Sequence, residues 1–285
     1  MTEPTTEAPQ RHPLNTGFNW PTRPGPFETL TDEQVAAFDR DGFIVIDDAF
    51  TPGEIAAVTD EIDRHERRVE DYLAGLEDQR VGIAEAGAIT FTINLAHRVA
   101  LLREFVCHPF FQGVTSDLVG PDVDLYWDQA VYKKPEKPRR FPWHQDNGYT
   151  FVEPQYYLTC WVALTDATVD NGCPIVARGM HVGGTYDHSY VDPLGWQIFD
   201  EPPEAVAAPV RAGGVVVFSS LTPHMTGPNT TDAVRKAYIV QYSAAGARIV
   251  SDDGGGTTTS HAVADEDHTF PVRRGGVPVG SYDDR

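Results

Sequence analysis

From Val123 onward, short stretches of aromatic and β-branched residues alternate with turns rich in Gly, Pro, Asn and Asp. Four of these stretches lie at 125–132, 156–164, 215–218 and 237–242. Aromatic and β-branched side chains favour strands, and frequent turns between short strands are typical of a sandwich or barrel. The second half of the chain is therefore expected to close into an all-β core.

Two helices are predicted ahead of these strands. Thr31 is followed by two acidic residues and by apolar residues at helical spacing up to Gly42, which is the pattern of an N-capped helix. After an apolar stretch over 43–46 that favours a strand, Thr51 begins a second helix that continues to about Leu73. The sequence therefore predicts an α+β, mainly β fold, with a double-stranded β-helix (jelly-roll, cupin-like) core flanked by N-terminal helices.

The two ends of the chain differ in composition from the part between them. Residues 1–28 contain six prolines and little apolar periodicity, so we expect an extended N-terminal arm there. Residues 29–250 carry the helix and strand patterns and are expected to form a single jelly-roll domain. Residues 251–285 include the low-complexity run DDGGGTTTS. For them we expect a flexible C-terminal tail, with a lid over the barrel mouth as the alternative.

The chain carries 22 Lys and Arg against 42 Asp and Glu, a formal net charge of −20. Such a field repels nucleic acid and anionic membrane surfaces, so neither is an expected partner. Three cysteines without a CxxC spacing argue against a disulfide framework and a structural zinc site. The sequence shows no leader pattern and no long apolar run. We expect a cytoplasmic monomer or homodimer that acts on a small-molecule substrate.

The segment Trp143-His144-Gln145-Asp146 contains the clearest chemical pattern. A His and an Asp two residues apart project to the same face of an extended strand, so both are placed to bind one ion. Two histidines and one carboxylate form the ligand face that leaves three coordination positions open on iron(II). His224 is the candidate for the second histidine, although an HxD pair and a lone histidine are each common by chance.

Arg235 lies eleven residues beyond His224, at the start of a strand pattern over 236–242. A sheet can direct this guanidinium toward the metal, and its planar fork matches the geometry of a carboxylate. The pattern therefore predicts a carboxylate-binding group beside the metal.

Further motifs accompany these residues: Leu30-Thr31-Asp32-Glu33-Gln34, Asp41-Gly42-Phe43, Trp161-Val162-Ala163-Leu164-Thr165-Asp166, Asn171-Gly172 and Gly227-Pro228-Asn229. Together with the HxD pair, His224 and Arg235 they make the sequence resemble the phytanoyl-CoA dioxygenase family of 2-oxoglutarate-dependent oxygenases. The likeness extends from about Leu30 to Tyr242.

The resemblance implies that His144, Asp146 and His224 hold Fe(II) and form the catalytic centre. It also implies that Arg235 pairs with the distal carboxylate of the co-substrate 2-oxoglutarate. With O2, an enzyme of this kind hydroxylates or otherwise oxidises an unactivated C–H bond and releases succinate and CO2. We expect ascorbate to stimulate it.

Three more co-substrate contacts follow from the resemblance, each with a simpler alternative. Gln129 precedes the HxD pair by fifteen residues on a predicted strand, where the alternative is a polar residue of the barrel wall. Thr226 has the position of a hydroxyl donor to the same carboxylate as Arg235, and the alternative is a turn residue. Trp161 has the position of a tryptophan near the co-substrate, and the alternative is core packing.

The substrate side is less defined. Asn147, Tyr149 and Phe151 follow the ligand pair and are candidates for lining it, with turn formation and core packing as alternatives. Arg178 is a further candidate, although a solvated loop is the simpler interpretation for Arg178 and His181. The sequence departs from the family here, because many members have a Pro-Gly-Ser-His run where this chain has Ala177-Arg178-Gly179-Met180-His181.

Two other classes of protein share the predicted barrel. A non-catalytic jelly-roll binding protein would be expected to have a broken ligand set, and a metal-independent jelly-roll isomerase would give no reason for Arg235. The acidic chain favours a free neutral or cationic small molecule over a coenzyme A thioester, while basic residues near position 137 leave the thioester open.

Overall fold

The helices and strands are those of a computed structural model, which describes residues 9–202, 204–252, 257–263 and 269–279. The helices are α1 (Asp32–Asp41), α2 (Pro52–Ala74), α3 (Leu95–Arg98), α4 (Ala100–Val106) and α5 (Pro109–Leu118), with 3₁₀ turns at Asp146–Gly148 and Met180–Gly183. The strands are β1 (Phe43–Ile46), β2 (Arg80–Val81), β3 (Ala84–Glu85), β4 (Ile89–Ile93), β5 (Val123–Lys133), β6 (Phe141–His144), β7 (Val152–Glu153), β8 (Leu158–Ala163), β9 (Pro174–Ala177), β10 (Ser189–Val191), β11 (Gly195–Gln197), β12 (Ala205–Ala207), β13 (Val215–Ser219), β14 (His224–Thr226), β15 (Arg235–Ala244), β16 (Arg248–Asp252), β17 (Thr258–Ala262), β18 (Phe270–Arg274) and β19 (Val277–Pro278).

These strands form one large and one small antiparallel sheet that together make the barrel. The large sheet has the order β1-β13-β8-β15-β5-β4-β3-β2, and β18 pairs with β5 and with β19. The small sheet has the order β12-β9-β14-β6, and shorter sheets are formed by β10-β11 and by β17-β16-β7. The mainly β fold with N-terminal helices, predicted from the sequence, is confirmed.

Both predicted N-terminal helices are present and begin at the threonines expected to cap them. The side chain of Thr31 accepts a hydrogen bond from the backbone N–H of Gln34, whose side chain accepts from the backbone of Thr31 in return. Thr51 and Glu54 form the same capping box at the start of α2. Such reciprocal bonds satisfy N–H groups that the first helical turn leaves unpaired.

The apolar residues divide into two main clusters on opposite faces of the large sheet. One packs the helices against the sheet and includes Phe105, Phe111 and Tyr242. The other lies between the two sheets and includes Trp161 and Phe218. Because successive residues of a strand point to opposite faces, the large sheet supplies both clusters and is buried on both sides.

A β-bulge in β5 changes which face its residues occupy. Gln241 of β15 pairs with Trp127, but the next residue of β15 pairs with Leu125, so Tyr126 is the extra residue. On the N-terminal side of the bulge, odd-numbered positions such as Leu125 belong to the cluster that packs against the helices. On its C-terminal side, odd-numbered positions such as Val131 face the space between the sheets. The bulge therefore lets one strand serve the helical core at one end and the barrel interior at the other.

The structure describes strands in parts of the C-terminal region, for which the sequence predicts a flexible tail or a lid. Strand β18 pairs with β5 in the large sheet, and Phe270 and Val272 belong to the cluster that packs against the helices. Arg273, also buried, donates to the backbone carbonyl of Gln112 in α5. The low-complexity run precedes a strand with two buried apolar residues, and burial of those side chains holds the strand in place.

The N-terminal residues 9–30 lack helices and are attached to the body by side-chain hydrogen bonds. Asn15 donates to the carbonyls of Gly183 and Thr185, and Asp117 of α5 accepts three consecutive backbone N–H groups from residues 28–30. None of the helices that the structure describes combines the length and the apolar composition needed to span a bilayer.

Candidate functional site

His144 and His224 face each other across neighbouring strands of the small sheet. They are direct partners in the register of β6 and β14, with ring centroids 4.2 Å apart. Nδ1 of His144 lies 2.8 Å from the carbonyl oxygen of Pro142, and Nδ1 of His224 lies 3.0 Å from that of Thr222. Because a carbonyl oxygen only accepts, each Nδ1 carries the hydrogen, so that Nε2 is the nitrogen that has a free lone pair in the neutral ring.

Both Nε2 atoms face the carboxylate of Asp146. Oδ1 of Asp146 is 3.7 Å from Nε2 of His144 and 3.9 Å from Nε2 of His224. The sequence suggested that His144 and Asp146 share one extended strand, but β6 ends at His144 and Asp146 begins a 3₁₀ turn. The turn still brings the carboxylate to the histidines, so that the three ligand atoms lie within 4.8 Å of one another.

The chemistry of this cluster fits iron(II). Two neutral imidazoles and one carboxylate on a single face are the donor set of non-haem iron centres. Burial, followed by the neighbouring His224, lowers the pKa of His144 well below its usual value. A histidine held neutral at physiological pH is in the protonation state that metal binding requires.

Arg235 lies on the inner face of the large sheet with only 1% of its surface exposed. Its Nη1 donates to the carbonyl of Val131 at 3.3 Å, and its Cζ lies 5.0 Å from the ring centroid of Trp161. Burial lowers the pKa of Arg235 to about 9, which leaves the guanidinium charged at neutral pH. Nε and Nη2 have no hydrogen-bond partner among the described residues. Buried, unpaired donors of a charged group are destabilising, and a carboxylate of a bound ligand would satisfy them.

Lys133 is a second buried cation at the same end of the space between the sheets. It is the register partner of Arg235, and its Nζ donates to the backbone carbonyls of Arg139, Thr226 and Gly227. All three ammonium hydrogens are therefore used within the chain. Burial, followed by Arg235, lowers the pKa of Lys133 well below its usual value. Lys133 fixes the backbone around Thr226 and adds positive potential beside Arg235.

A pocket of about 470 Å³, including its part open to solvent, connects the metal cluster with Arg235. The predicted contacts Gln129, Trp161 and Thr226 all line it. Its remaining wall is mostly apolar and is formed by Thr159 together with Ile89, Phe91, Val131, Phe141, Phe218 and Ile239. Apolar walls with a few convergent polar groups are typical of small-molecule sites.

Of the predicted substrate residues, Tyr149 has a ring contact with a ligand of the metal cluster. Its ring centroid is 5.3 Å from that of His144, and 41% of its surface is exposed. Burial of the hydroxyl, followed by Asp146, raises the pKa of Tyr149 above its usual value. Tyr149 is thus neutral, contacts the ligand histidine and is partly exposed.

The other three predicted substrate residues have contacts elsewhere in the chain. Asn147 is fully buried, and its amide accepts from Val152 N–H and donates to Thr185. Phe151 is buried and stacks on His12 at 4.9 Å. Arg178 pairs with Asp41 and Glu204. None of the four predicted substrate residues, Tyr149 included, is among the residues that line the pocket.

Sequence reasoning missed the residues that hold the backbone between the ligands. The backbone N–H of Gln145 donates to Nε2 of His188 at 3.0 Å, and the Gln145 side chain donates to the carbonyls of Gly184 and Leu221. Gly148 makes room for this histidine, because a Cβ there would lie 2.0 Å from its ring. A glycine directly after the HxDN run was the one available signal, and it does not identify its distant neighbour.

Comparisons with known proteins agree with this geometry. The family model for phytanoyl-CoA dioxygenase matches residues 38–237. Ectoine dioxygenase of Bordetella bronchiseptica is 25% identical over 239 residues, which cover 76% of each chain. Human peroxisomal phytanoyl-CoA dioxygenase is 25% identical over 243 residues, covering 79% of this chain and 72% of that one.

Solved structures include close matches to the fold. A non-haem α-ketoglutarate-dependent carbocyclase of nogalamycin biosynthesis superposes with a TM-score of 0.64 at 26% identity, covering 79% of this chain and 89% of the other. An enzyme of Micromonospora carbonacea var. aurantiaca in complex with 2-oxoglutarate has a TM-score of 0.61 at 26% identity, with coverages of 80% and 96%.

Proposed function

The chain belongs to the phytanoyl-CoA dioxygenase family and is a 2-oxoglutarate-dependent non-haem iron oxygenase, and we propose that it oxidises an unactivated C–H bond of a small molecule. Hydroxylation is the expected outcome, with release of succinate and CO2. The observation that carries the proposal is the single pocket shared by the His144, Asp146 and His224 cluster and by the unpaired donors of Arg235.

In this proposal each residue has a defined task. His144, Asp146 and His224 bind iron(II) on one face, which leaves three positions for co-substrate and O2. Arg235 receives the distal carboxylate of 2-oxoglutarate, because it lines the pocket and its buried Nε and Nη2 have no partner among the described residues. Iron(II) and 2-oxoglutarate, when bound, supply the oxidising chemistry.

The remaining residues orient the ligands and exclude water. Trp161 packs on the guanidinium of Arg235 and restricts its orientation. Gln129 and Thr226 add neutral polar groups to the lining of the pocket that Arg235 and the metal ligands share. The apolar wall keeps competing solvent away from the reaction. Tyr149, which contacts His144 and is partly exposed, is the candidate contact for substrate.

A second outcome fits the same centre. A similar solved structure is an α-ketoglutarate-dependent carbocyclase, and ring closure, like hydroxylation, requires loss of hydrogen from a positioned carbon. The relatives also include an ectoine dioxygenase and a phytanoyl-CoA dioxygenase, so both free small molecules and thioesters belong in a test. The formal net charge of −20 favours a free neutral or cationic molecule as substrate.

The test is succinate formation from 2-oxoglutarate by the purified protein with iron(II), ascorbate and O2, against a panel of free small molecules and acyl thioesters. We expect one compound to increase succinate formation and to yield a product that carries oxygen from labelled O2. An oxidised product without labelled oxygen would indicate ring closure or desaturation. Asp146→Ala serves as the control without a complete ligand set. Succinate formation equal in Asp146→Ala and the unmodified protein would contradict the proposal.

A further inference from the structure

The two oxygens of the Asp146 carboxylate have different surroundings. Oδ1 faces Nε2 of His144 and of His224 at 3.7 and 3.9 Å. Oδ2 accepts a hydrogen bond of 2.6 Å from the hydroxyl of Thr159. The carboxylate is therefore oriented so that one oxygen faces the metal cluster and the other is hydrogen-bonded to Thr159 of β8.

The direction of the Thr159 hydroxyl is set by a third side chain. Gln241 donates from Nε2 to Oγ1 of Thr159 at 3.2 Å. A hydroxyl has one hydrogen to donate, and a carboxylate only accepts. Since the amide N–H of Gln241 occupies a lone pair of Oγ1, the hydroxyl hydrogen is directed at Asp146. Thr159 and Gln241 are 1% and 6% exposed, so water has little access to either group.

The hydrogen-bonded chain joins the two sheets of the barrel. Thr159 and Gln241 are register partners on β8 and β15 of the large sheet, whereas His144 and His224 lie on the small sheet. Thr159 also precedes Trp161 by two residues on β8 and so lies on the same face of the strand. Asp146 thus extends from the end of β6 to a fixed point on the opposite sheet.

This arrangement determines how the carboxylate reaches a metal. A carboxylate with both oxygens free can bind one ion with both, which takes an additional coordination position. With two histidines, monodentate binding leaves three positions, and 2-oxoglutarate and O2 need all three. A hydrogen bond to one carboxylate oxygen fixes the rotation of the group and makes that oxygen a poorer ligand.

We propose that Thr159, oriented by Gln241, is a positioning residue that holds Asp146 as a monodentate ligand and thereby keeps a coordination position open. The inference rests on the proposed role of Asp146 as an iron ligand. It assigns a function to two residues of the large sheet that do not touch the metal.

The variants Thr159→Val and Thr159→Ser separate the hydroxyl from the shape of the side chain. Valine keeps the volume and loses the hydroxyl, and serine keeps the hydroxyl. Loss of an outer partner of a metal ligand weakens metal affinity about 10- to 100-fold. For Thr159→Val we expect a loss in this range in iron(II) affinity, measured by competition with a chelator. We also expect a shifted visible absorption band of the anaerobic protein with iron(II) and 2-oxoglutarate. Thr159→Ser should restore both properties.

Thr92→Val is the matched control. Thr92 is buried on β4, its hydroxyl has no partner among the described residues, and it does not line the pocket. The same change of side chain there should leave iron(II) affinity and the band unchanged. Melting temperatures of all variants show whether the fold is kept, and Thr159→Ala replaces Thr159→Val if the valine variant does not fold.

Unchanged iron(II) affinity and an unchanged band in folded Thr159→Val or Thr159→Ala would overturn the inference while leaving the proposed function in place. Failure of folded Thr159→Ser to rescue would also overturn it, because the methyl group and not the hydroxyl would then matter. If the unmodified protein binds neither iron(II) nor 2-oxoglutarate, the proposed function fails first and this inference falls with it.

Discussion

Each histidine of the metal cluster is held in one tautomer by the carbonyl two residues before it, Pro142 for His144 and Thr222 for His224. The cluster is therefore prepared for a metal without rearrangement of either ring. We predict that the protein binds about one iron(II) per chain and that His144→Ala or His224→Ala abolishes binding, because two ligands remain of a three-point face. Metal content after anaerobic reconstitution measures this, with His261→Ala at an exposed position as control. Full metal content in both variants would contradict the ligand assignment.

Arg235 is a buried cation with unpaired donors, and a carboxylate of a bound ligand would satisfy them. We predict that Arg235→Ala weakens 2-oxoglutarate binding by about 2 to 5 kcal/mol, the range for removing one partner of a buried charge pair. Lysine at this position should rescue in part, since it lacks the planar fork. Titration of the anaerobic iron(II) protein gives the affinity. Lys236→Ala is the control, because Lys236 is the next residue on β15 and pairs with Asp63. Unchanged affinity in Arg235→Ala would place the anchor elsewhere.

His181 was expected in a solvated loop and is instead fully buried against Trp20, with ring centroids 4.4 Å apart. Burial lowers its pKa from 6.5 to about 4. The unfolded chain therefore binds more protons than the folded one between these pH values, and stability falls as pH decreases from about 6.5 to 4. The full effect is at most about 3 kcal/mol.

We predict that His181→Phe, which removes the titrating group and keeps a planar ring, flattens this dependence. Urea denaturation at pH 7 and pH 5 measures the difference in unfolding free energy, and His261→Phe serves as the exposed control. An equally steep pH dependence in His181→Phe would show that other groups cause it.

His144, Asp146, His224 and Arg235 could be predicted as site residues from the sequence. Binding a metal or a carboxylate requires these residue types, and their spacing fits the pattern of such a site. Thr159 could not be found in the same way. Its role depends on a contact with Asp146 across the barrel and on Gln241 beside it, and neither contact follows from spacing. A buried threonine on an apolar strand has the same sequence signature whether or not a carboxylate reaches it.

At the scale of elements, strands were predictable where aromatic and β-branched residues form a run, as in β8, β13 and β15. The bulge of β5 was not, because one extra residue leaves the composition of a strand unchanged while reversing its faces. Strand β18 was missed because it follows a low-complexity run and is short. Its place in the large sheet depends on pairing with β5, which lies far away in sequence.

The burial of β18 can be tested by its contribution to stability. We predict that Phe270→Ala lowers the free energy of unfolding by about 3 kcal/mol and Val272→Ala by about 2 kcal/mol, because both leave cavities in the cluster beneath the helices. Val277→Ala, at an exposed position of β19, should change it by less than about 0.5 kcal/mol. Urea denaturation provides the three values. A Phe270→Ala variant as stable as the unmodified protein would mean that β18 does not pack as described.

At the scale of the whole molecule, a chain of formal net charge −20 keeps two buried basic side chains, Arg235 and Lys133, side by side on neighbouring strands. Within the described part of the chain neither forms an ion pair with a carboxylate, and Arg235 retains unpaired donors. A ligand that binds only the folded state stabilises it by mass action, by about 2.7 kcal/mol at a hundredfold excess over Kd.

We therefore predict that 2-oxoglutarate raises the melting temperature of the protein even after metal is removed by a chelator. Pyruvate, which has the keto acid but no distal carboxylate, should have little effect. In Arg235→Ala the effect of 2-oxoglutarate should disappear. Equal stabilisation by pyruvate and 2-oxoglutarate would contradict a role of the buried cations in binding.

The pairing of His144 with His224 also limits when the metal cluster can form during translation. Chains emerge from the ribosome N-terminus first, yet the sheet partner of β6 is β14, which is made much later. Between them the ribosome must add β7 to β13, and Thr159, which is hydrogen-bonded to Asp146, lies on β8. A nascent chain that ends before His224 has only part of the ligand set. The complete ligand set can therefore form only after translation has passed β14.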